Sequence, residues 1–115
     1  MATENNFVII EAIFNLHQWV KENLPIENSL IAYDLILLLS IYSYSNNTVS
    51  VKNLFSSLPH SPTAIRYHYQ RLLNDGWIEH HQDAKDRRIK YVRPTIKFIT
   101  TINVYNLEAK KLLSI

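Results

Sequence analysis

All five arginines of this 115-residue chain, Arg66, Arg71, Arg87, Arg88 and Arg93, lie between Thr48 and Lys97. Arginine presents a planar fork of donors that matches phosphate oxygens and the O6 and N7 edge of guanine, so where it clusters is informative. The same segment carries Lys52, Lys85, Lys90 and Lys97, giving nine basic residues against four acidic ones and a net charge of +5. Met1 to Asn47 is the reverse, with Lys21 alone against Glu4, Glu11, Glu22, Glu27 and Asp34, a net of −4. The formal total of +2 therefore hides an acidic front and a basic centre.

Other chemistries find less support. The histidines are His17, His60, His68, His80 and His81. No two stand at the i, i+3 or i, i+4 spacing of helical metal ligands, and His80 and His81, adjacent on a strand, point to opposite faces. No metal site is expected. The absence of cysteine excludes disulfides, thiolate zinc sites, iron–sulfur clusters and a cysteine nucleophile, and fits a reducing cytoplasmic setting. The single glycine, Gly76, excludes phosphate loops and dinucleotide-binding turns, which need several. No Ser/His/Asp set and no carboxylate pair has a recognisable local context, so the chain is read as a non-enzyme without a cofactor.

These residues must be positioned by one folded unit, because 115 residues make about one domain. At 47% hydrophobic and 19% charged, the composition supplies a core. There is no internal repeat or low-complexity tract. The acidic N-terminus lacks the basic region of a signal peptide. The most apolar stretch, Leu30 to Tyr44, is interrupted by Asp34 and Ser40 and is too short for a membrane span, so it reads as a core helix with Ser29 as N-cap. No membrane association is expected.

Before it, Glu4 to Leu24 reads as a helix with a narrow polar stripe and with Phe7, Ile10, Ile13, Phe14, Trp19 and Val20 among its apolar residues, stopped at Pro25. Ser50 caps a short helix, Val51 to Leu58. Ser61 followed by Pro62 at the first helical position opens another, which runs to Asn74 and ends at Gly76 in a left-handed conformation. Trp77 to Gln82 and Arg88 to Arg93 then carry strand-forming residues around the charged tip Asp83-Ala84-Lys85-Asp86-Arg87. A last helix from about Ile96 to Leu113, with Thr95 as N-cap, aligns Phe98, Ile99, Ile102, Tyr105, Leu112 and Leu113 along one side. Three such apolar helices expose more greasy surface than one small core covers, which points to a partner.

The expected fold class is mainly α with a small β-hairpin: a winged helix-turn-helix with N- and C-terminal dimerisation helices. The termini, 1–24 and 96–115, flank a DNA-binding lobe at 29–95 in a single domain, 1–115. In the third helix of that lobe Ile65, His68, Tyr69 and Leu72 face inward. The opposite face presents Thr63, Ala64, Arg66, Tyr67, Gln70, Arg71 and Asn74, types that suit a major-groove reader. Ser61 caps an N-terminus able to meet a phosphate.

The run from Ser61-Pro62-Thr63-Ala64-Ile65-Arg66 through Leu72-Leu73-Asn74-Asp75-Gly76-Trp77-Ile78 and Asp83-Ala84-Lys85-Asp86-Arg87-Arg88 to Thr95 resembles the MarR family of bacterial winged-helix regulators. The family's Asp-x-Arg wing element is matched by Asp86-Arg87-Arg88. Pro94-Thr95 stands where the family has a Leu-Thr pair, so the leucine is absent. Winged helices of the ArsR type share the Ser, Leu and Gly-hydrophobic pattern and differ mainly in the wing and the ends. The resemblance covers about Val49 to Thr95. It implies that Arg88 enters the minor groove, that Asp86 orients it, and that the terminal helices make a dimer.

The reading is thus a homodimeric, sequence-specific double-stranded DNA-binding repressor that recognises a pseudo-palindromic operator. Its DNA-binding residues are Ser61, Thr63, Ala64, Arg66, Tyr67, Gln70, Arg71, Lys85, Asp86, Arg87, Arg88 and Lys90. The other reading is a winged-helix protein-interaction or replication/partition adaptor. No pocket for a small-molecule effector is assigned.

Overall fold

Short-range capping signals set most of the element boundaries. The computed structural model describes residues 2–113, and in chain order these form α1 (Ala2–Asn23), α2 (Leu30–Tyr44), β1 (Val49–Ser50), α3 (Val51–Ser56), α4 (Pro62–Asn74), β2 (Ile78–Gln82), β3 (Lys90–Pro94) and α5 (Ile96–Leu113). The Ser29 hydroxyl accepts from Ala32 N, Ser50 from Asn53 N and Ser61 from Ala64 N, each satisfying an amide that the first helical turn leaves unpaired. Ser40, buried inside apolar α2, donates to Ile36 O at 2.7 Å and so carries no unpaired hydroxyl.

The C-terminal end of α4 is closed by a Schellman pair. Trp77 N donates to Leu72 O at 2.9 Å and Gly76 N to Leu73 O at 3.3 Å, with Gly76 at φ 78°. That φ is open to glycine at little cost and strains a residue that carries a Cβ. The turn reverses the chain directly into β2.

The hairpin β2–β3 is antiparallel, pairing Ile78 with Pro94 and Gln82 with Lys90. A third strand, not expected from the sequence, completes the sheet: Val49 and Ser50 pair with Val92 and Tyr91, giving the order β1-β3-β2. Two residues are too few for an alternation pattern, so only the pairing reveals it. Several boundaries also shift by one or two residues, two of them for a local reason. The helix expected to reach Leu58 ends at Ser56, because Leu58 precedes Pro59, which disfavours helical backbone before it. β3 starts at Lys90 rather than Arg88, because the turn at the tip takes up Arg88 and Ile89.

The core gathers Val20 of α1 and Leu24 just after it, Leu35, Ile36 and Leu39 of α2, Leu54 of α3, Ile65, Tyr69 and Leu72 of α4, Ile78 and Val92 of the sheet, and Phe98 and Ile102 of α5. α1 packs on α5 and α2 on α4. Trp19, Tyr33 and Tyr105 join α1, α2 and α5. The two tyrosine hydroxyls lie 2.7 Å apart, and the Trp19 and Tyr105 rings 5.9 Å. Burial, then the hydroxyl contact with Tyr105, pushes the Tyr33 pKa up, so this joint is uncharged.

The terminal helices leave part of their apolar surface uncovered, as expected. Of the apolar side proposed for α5, Phe98 and Ile102 are buried, whereas Ile99 and Leu113 stay exposed. On α1, Phe7, Val8, Ile9, Ile10, Ile13 and Phe14 are 47–62% exposed, because this half of the helix runs past the core. Among the described residues, no helix is long and apolar enough to cross a membrane.

Candidate nucleic-acid interface

Helix α4 is held from two sides before any of its exposed residues can act. His60, just ahead of it, places Nε2 2.7 Å from Asp34 Oδ2 of α2, and His68 Nε2 lies 3.1 Å from the Ser29 hydroxyl. Ile65, Tyr69 and Leu72 lock its inner face into the core. Its outer face carries Ser61, Thr63, Arg66, Tyr67, Gln70 and Arg71 exposed, with Ala64 half-buried at the edge. His68, expected inward, is half-buried and acts as a bracket rather than as core.

The side chains on that face are braced to different degrees. The Arg66 guanidinium lies over the Phe55 ring of α3, 5.8 Å from its centroid. Gln70 donates to Asn74 Oδ1 at 3.0 Å one turn along. Arg71 is the least free: it pairs with the Glu27 carboxylate and sits 5.9 Å over the Tyr67 ring. Its hydrogen bond to Tyr67, with Glu27 beside it, raises its pKa further. The acidic front and the basic centre thus meet at Glu27 and Arg71, a pairing that sequence reading did not anticipate.

The wing tip is built by two aspartates acting on backbone. Asp83 Oδ1 accepts from Lys85 N at 2.7 Å and Asp86 N at 3.0 Å, while Oδ2 accepts from the Tyr91 hydroxyl at 3.1 Å. Asp86 Oδ1 accepts from Arg88 N at 3.1 Å and from Arg88 Nε at 3.0 Å, and Oδ2 from Arg88 Nη2 at 2.9 Å. The fork-to-carboxylate match is the strong geometry for this pair of groups. Donated amides hold the Asp83 carboxyl below its ordinary range, and the Arg88 side chain does the same for Asp86. Arg88 is in turn held more firmly protonated by Asp86. Its side chain is nonetheless 90% exposed, so the fork is aimed outward. Lys85, Arg87 and Lys90 are exposed around it.

Between α3, α4 and the wing runs a groove of about 850 Å³. It brings together Arg66 and Gln70 from α4 with Arg88 and Lys90 from the wing, which the expected site already contained. It also includes Lys52 of α3 and His80 of β2, which the site did not contain. The signal for Lys52 was available, since it stands in the first turn of a capped helix inside the basic segment. His80 gave none, because its inward lean depends on sheet register. Ser61, Thr63, Ala64, Tyr67, Arg71, Lys85, Asp86 and Arg87 do not line the groove but extend the same exposed surface. Among the described residues no group of three or more His, Asp or Glu side chains is close enough to hold a metal ion.

A capped helix after a short helix, followed by a two-stranded wing whose third strand precedes both helices, defines a winged helix-turn-helix. Its extension by α1 and α5 is the architecture of MarR-family regulators. The chain is similar to a MepR variant of S. aureus solved bound to an oligodeoxyribonucleotide, with a TM-score of 0.76 at 12% identity over 98% of this chain and 78% of that one. It is also similar to a MarR-like transcription regulator of Bacillus cereus, at TM-score 0.56 and 22% identity over 96% of this chain and 80% of that one. A third such structure is the heme sensor PefR of Streptococcus agalactiae in complex with heme, at TM-score 0.56 and 16% identity over 97% of this chain and 77% of that one. No family sequence model matches the chain, and no curated protein matches it by sequence.

Proposed function

We propose that this chain is a MarR-type transcription regulator that binds double-stranded DNA sequence-specifically, as a homodimer, and represses by occupying its operator. The observation that carries the reading is the outward Arg88–Asp86 fork, set across a basic groove from the exposed polar face of α4. α4 would enter the major groove, with Arg66 and Gln70 reading base edges. Arg88 would enter the adjacent minor groove, where narrow A·T-rich DNA attracts arginine. Ser61, Thr63, Ala64, Tyr67, Arg71, Lys85, Arg87 and Lys90 complete the contact surface, chiefly along the phosphates.

The homodimer is supported by the uncovered apolar half of α1 together with Val104 and Leu107 on α5, 43% and 65% exposed. Two-fold symmetry would make the operator pseudo-palindromic, with half-sites about one helical turn, roughly 10 bp, apart.

Selection of bound duplexes from a random pool tests the reading directly, and a palindromic consensus is expected. Arg66→Ala should cost about 1–3 kcal/mol of affinity for the selected site. If Arg66→Ala and Arg88→Ala both bind that site as the parent does, the assignment fails. Light scattering on the eluting protein should give twice the 13.5 kDa chain mass. Phe14→Glu should shift that mass toward the monomer by placing a charge in the apolar seam.

A further inference from the structure

The groove between α4 and the wing holds one titratable ring with no role in the reading above. His80 stands on β2 in register with Val92 of β3, so it shares the inner face of the sheet with buried Ile78 and leans toward α4. Its ring stacks on that of Tyr69, with centroids 5.7 Å apart and 22° between the planes, and Nε2 lies 2.6 Å from the Tyr69 hydroxyl. Phe55 also meets the Tyr69 ring edge-on, with centroids 5.3 Å apart. The imidazole is therefore fixed in place at the wall of the groove rather than swinging free.

The charges that face it are of one sign. From α3 comes Lys52, from α4 Arg66, from β3 Lys90 and from the wing tip Arg88, the last already matched by Asp86. The remaining ionisable groups of the lining are the hydroxyls of Tyr69 and Tyr91, and the lining contains no carboxylate. Glu79 and His81, its neighbours on β2, lie on the opposite face of the strand. Among the described residues that line the groove, none can balance a positive charge on this ring. A DNA phosphate entering this groove supplies the missing anion.

We propose that His80 is a further contact to the DNA sugar-phosphate backbone, made in its protonated form, so that operator binding takes up a proton at this ring and tightens as pH falls. The inference rests on the DNA-binding reading above and adds a residue and a regulation to it. In the free protein His80 is exposed on its groove side, and desolvation first and Lys90 second lower its pKa, favouring the uncharged ring. The Tyr69 hydroxyl, whose pKa burial pushes up, stays protonated and serves either state. It donates to the neutral ring and accepts from the charged one, so this bond survives protonation with its direction reversed. Nδ1 is then the atom left to meet a phosphate oxygen.

The sign follows from linkage. A group that binds its proton more tightly in the complex than in the free protein makes the complex more stable at low pH, and each unit of pKa difference is worth tenfold in affinity. The probe is a labelled mixed-sequence duplex about two helical turns long, titrated at fixed low salt from about pH 8 to about pH 5. The parent chain is expected to bind about three- to tenfold tighter at the acid end. His80→Gln should lose that gain. His81→Gln, on the opposite face of the strand, should keep the gain. An unchanged pH profile in His80→Gln overturns the proposal and leaves the DNA-binding reading standing, whereas absence of binding at every pH removes both. A second measurement needs no variant: the imidazole proton resonances of His80 should titrate at higher pH with the duplex present, and an unmoved midpoint overturns the proposal.

Discussion

Arg88 and Asp86 form a two-point fork at the tip of the wing, with Nε 3.0 Å from Oδ1 and Nη2 2.9 Å from Oδ2. The Arg88 backbone amide binds the same carboxylate. An ion pair this exposed adds little to folding. What the fork does is spend the carboxylate on orientation, fixing the guanidinium plane so that less side-chain freedom would be lost on entering a DNA groove as proposed.

Asp86→Ala therefore separates orientation from net charge. Charge alone predicts tighter DNA binding once an acidic group leaves a DNA-facing wing. Orientation predicts the reverse, and the expected result is about a tenfold loss of affinity for the selected site with an unchanged thermal midpoint. A gain in affinity would show that the aspartate does no positioning.

Lys85 and Lys90 differ from Arg66 in the kind of contact they are assigned. Replacing either lysine by alanine should weaken binding to all duplexes alike and flatten the plot of log affinity against log salt by about one. Arg66→Ala should lower discrimination among sequences instead. Affinities measured for the selected site and a scrambled site across a salt series distinguish the two patterns.

Gly76→Ala tests the junction between α4 and the wing. A Cβ at this position would meet no atom within 4 Å, so the cost is confined to the left-handed backbone at φ 78°. A loss of about 1–2 kcal/mol in unfolding free energy is expected, read as a lower denaturant midpoint with unchanged slope.

The wing should loosen in acid. Asp83 and Asp86 both have folded pKa values depressed below 3.8, the first chiefly by the Lys85 amide and the second by the Arg88 side chain. Depressed carboxylates stabilise the folded tip above the unfolded value and lose that contribution as pH falls through the folded one. Amide exchange of Lys85, Asp86 and Arg88 should accelerate below about pH 4, ahead of amides in β2.

How far the sequence could be read depends on the range of the force involved. The limits of α2 and α4 were legible because their caps act within one turn: Ser29 on Ala32, Ser61 on Ala64, Gly76 on Leu73. The Asp86–Arg88 fork was legible only because the wing motif resembles that of a known family. β1 was not legible, since two residues carry no periodicity and pair with a strand far along the chain. The end of α3 was misjudged where the proline after Leu58 overrode the local pattern.

The sequence by itself determined the helices, the turn at Gly76, the division into an acidic front and a basic centre, and the types of side chain on the outer face of α4, because propensity, capping and charge are properties of neighbouring residues. Only the tertiary structure decided that Glu27 occupies Arg71, that half of α1 is left uncovered, and that His80 stacks on Tyr69 inside the groove with Lys52 and Arg66. Each of these depends on how separate elements pack against one another, and packing is set by burial of the whole core rather than by any local run of residues.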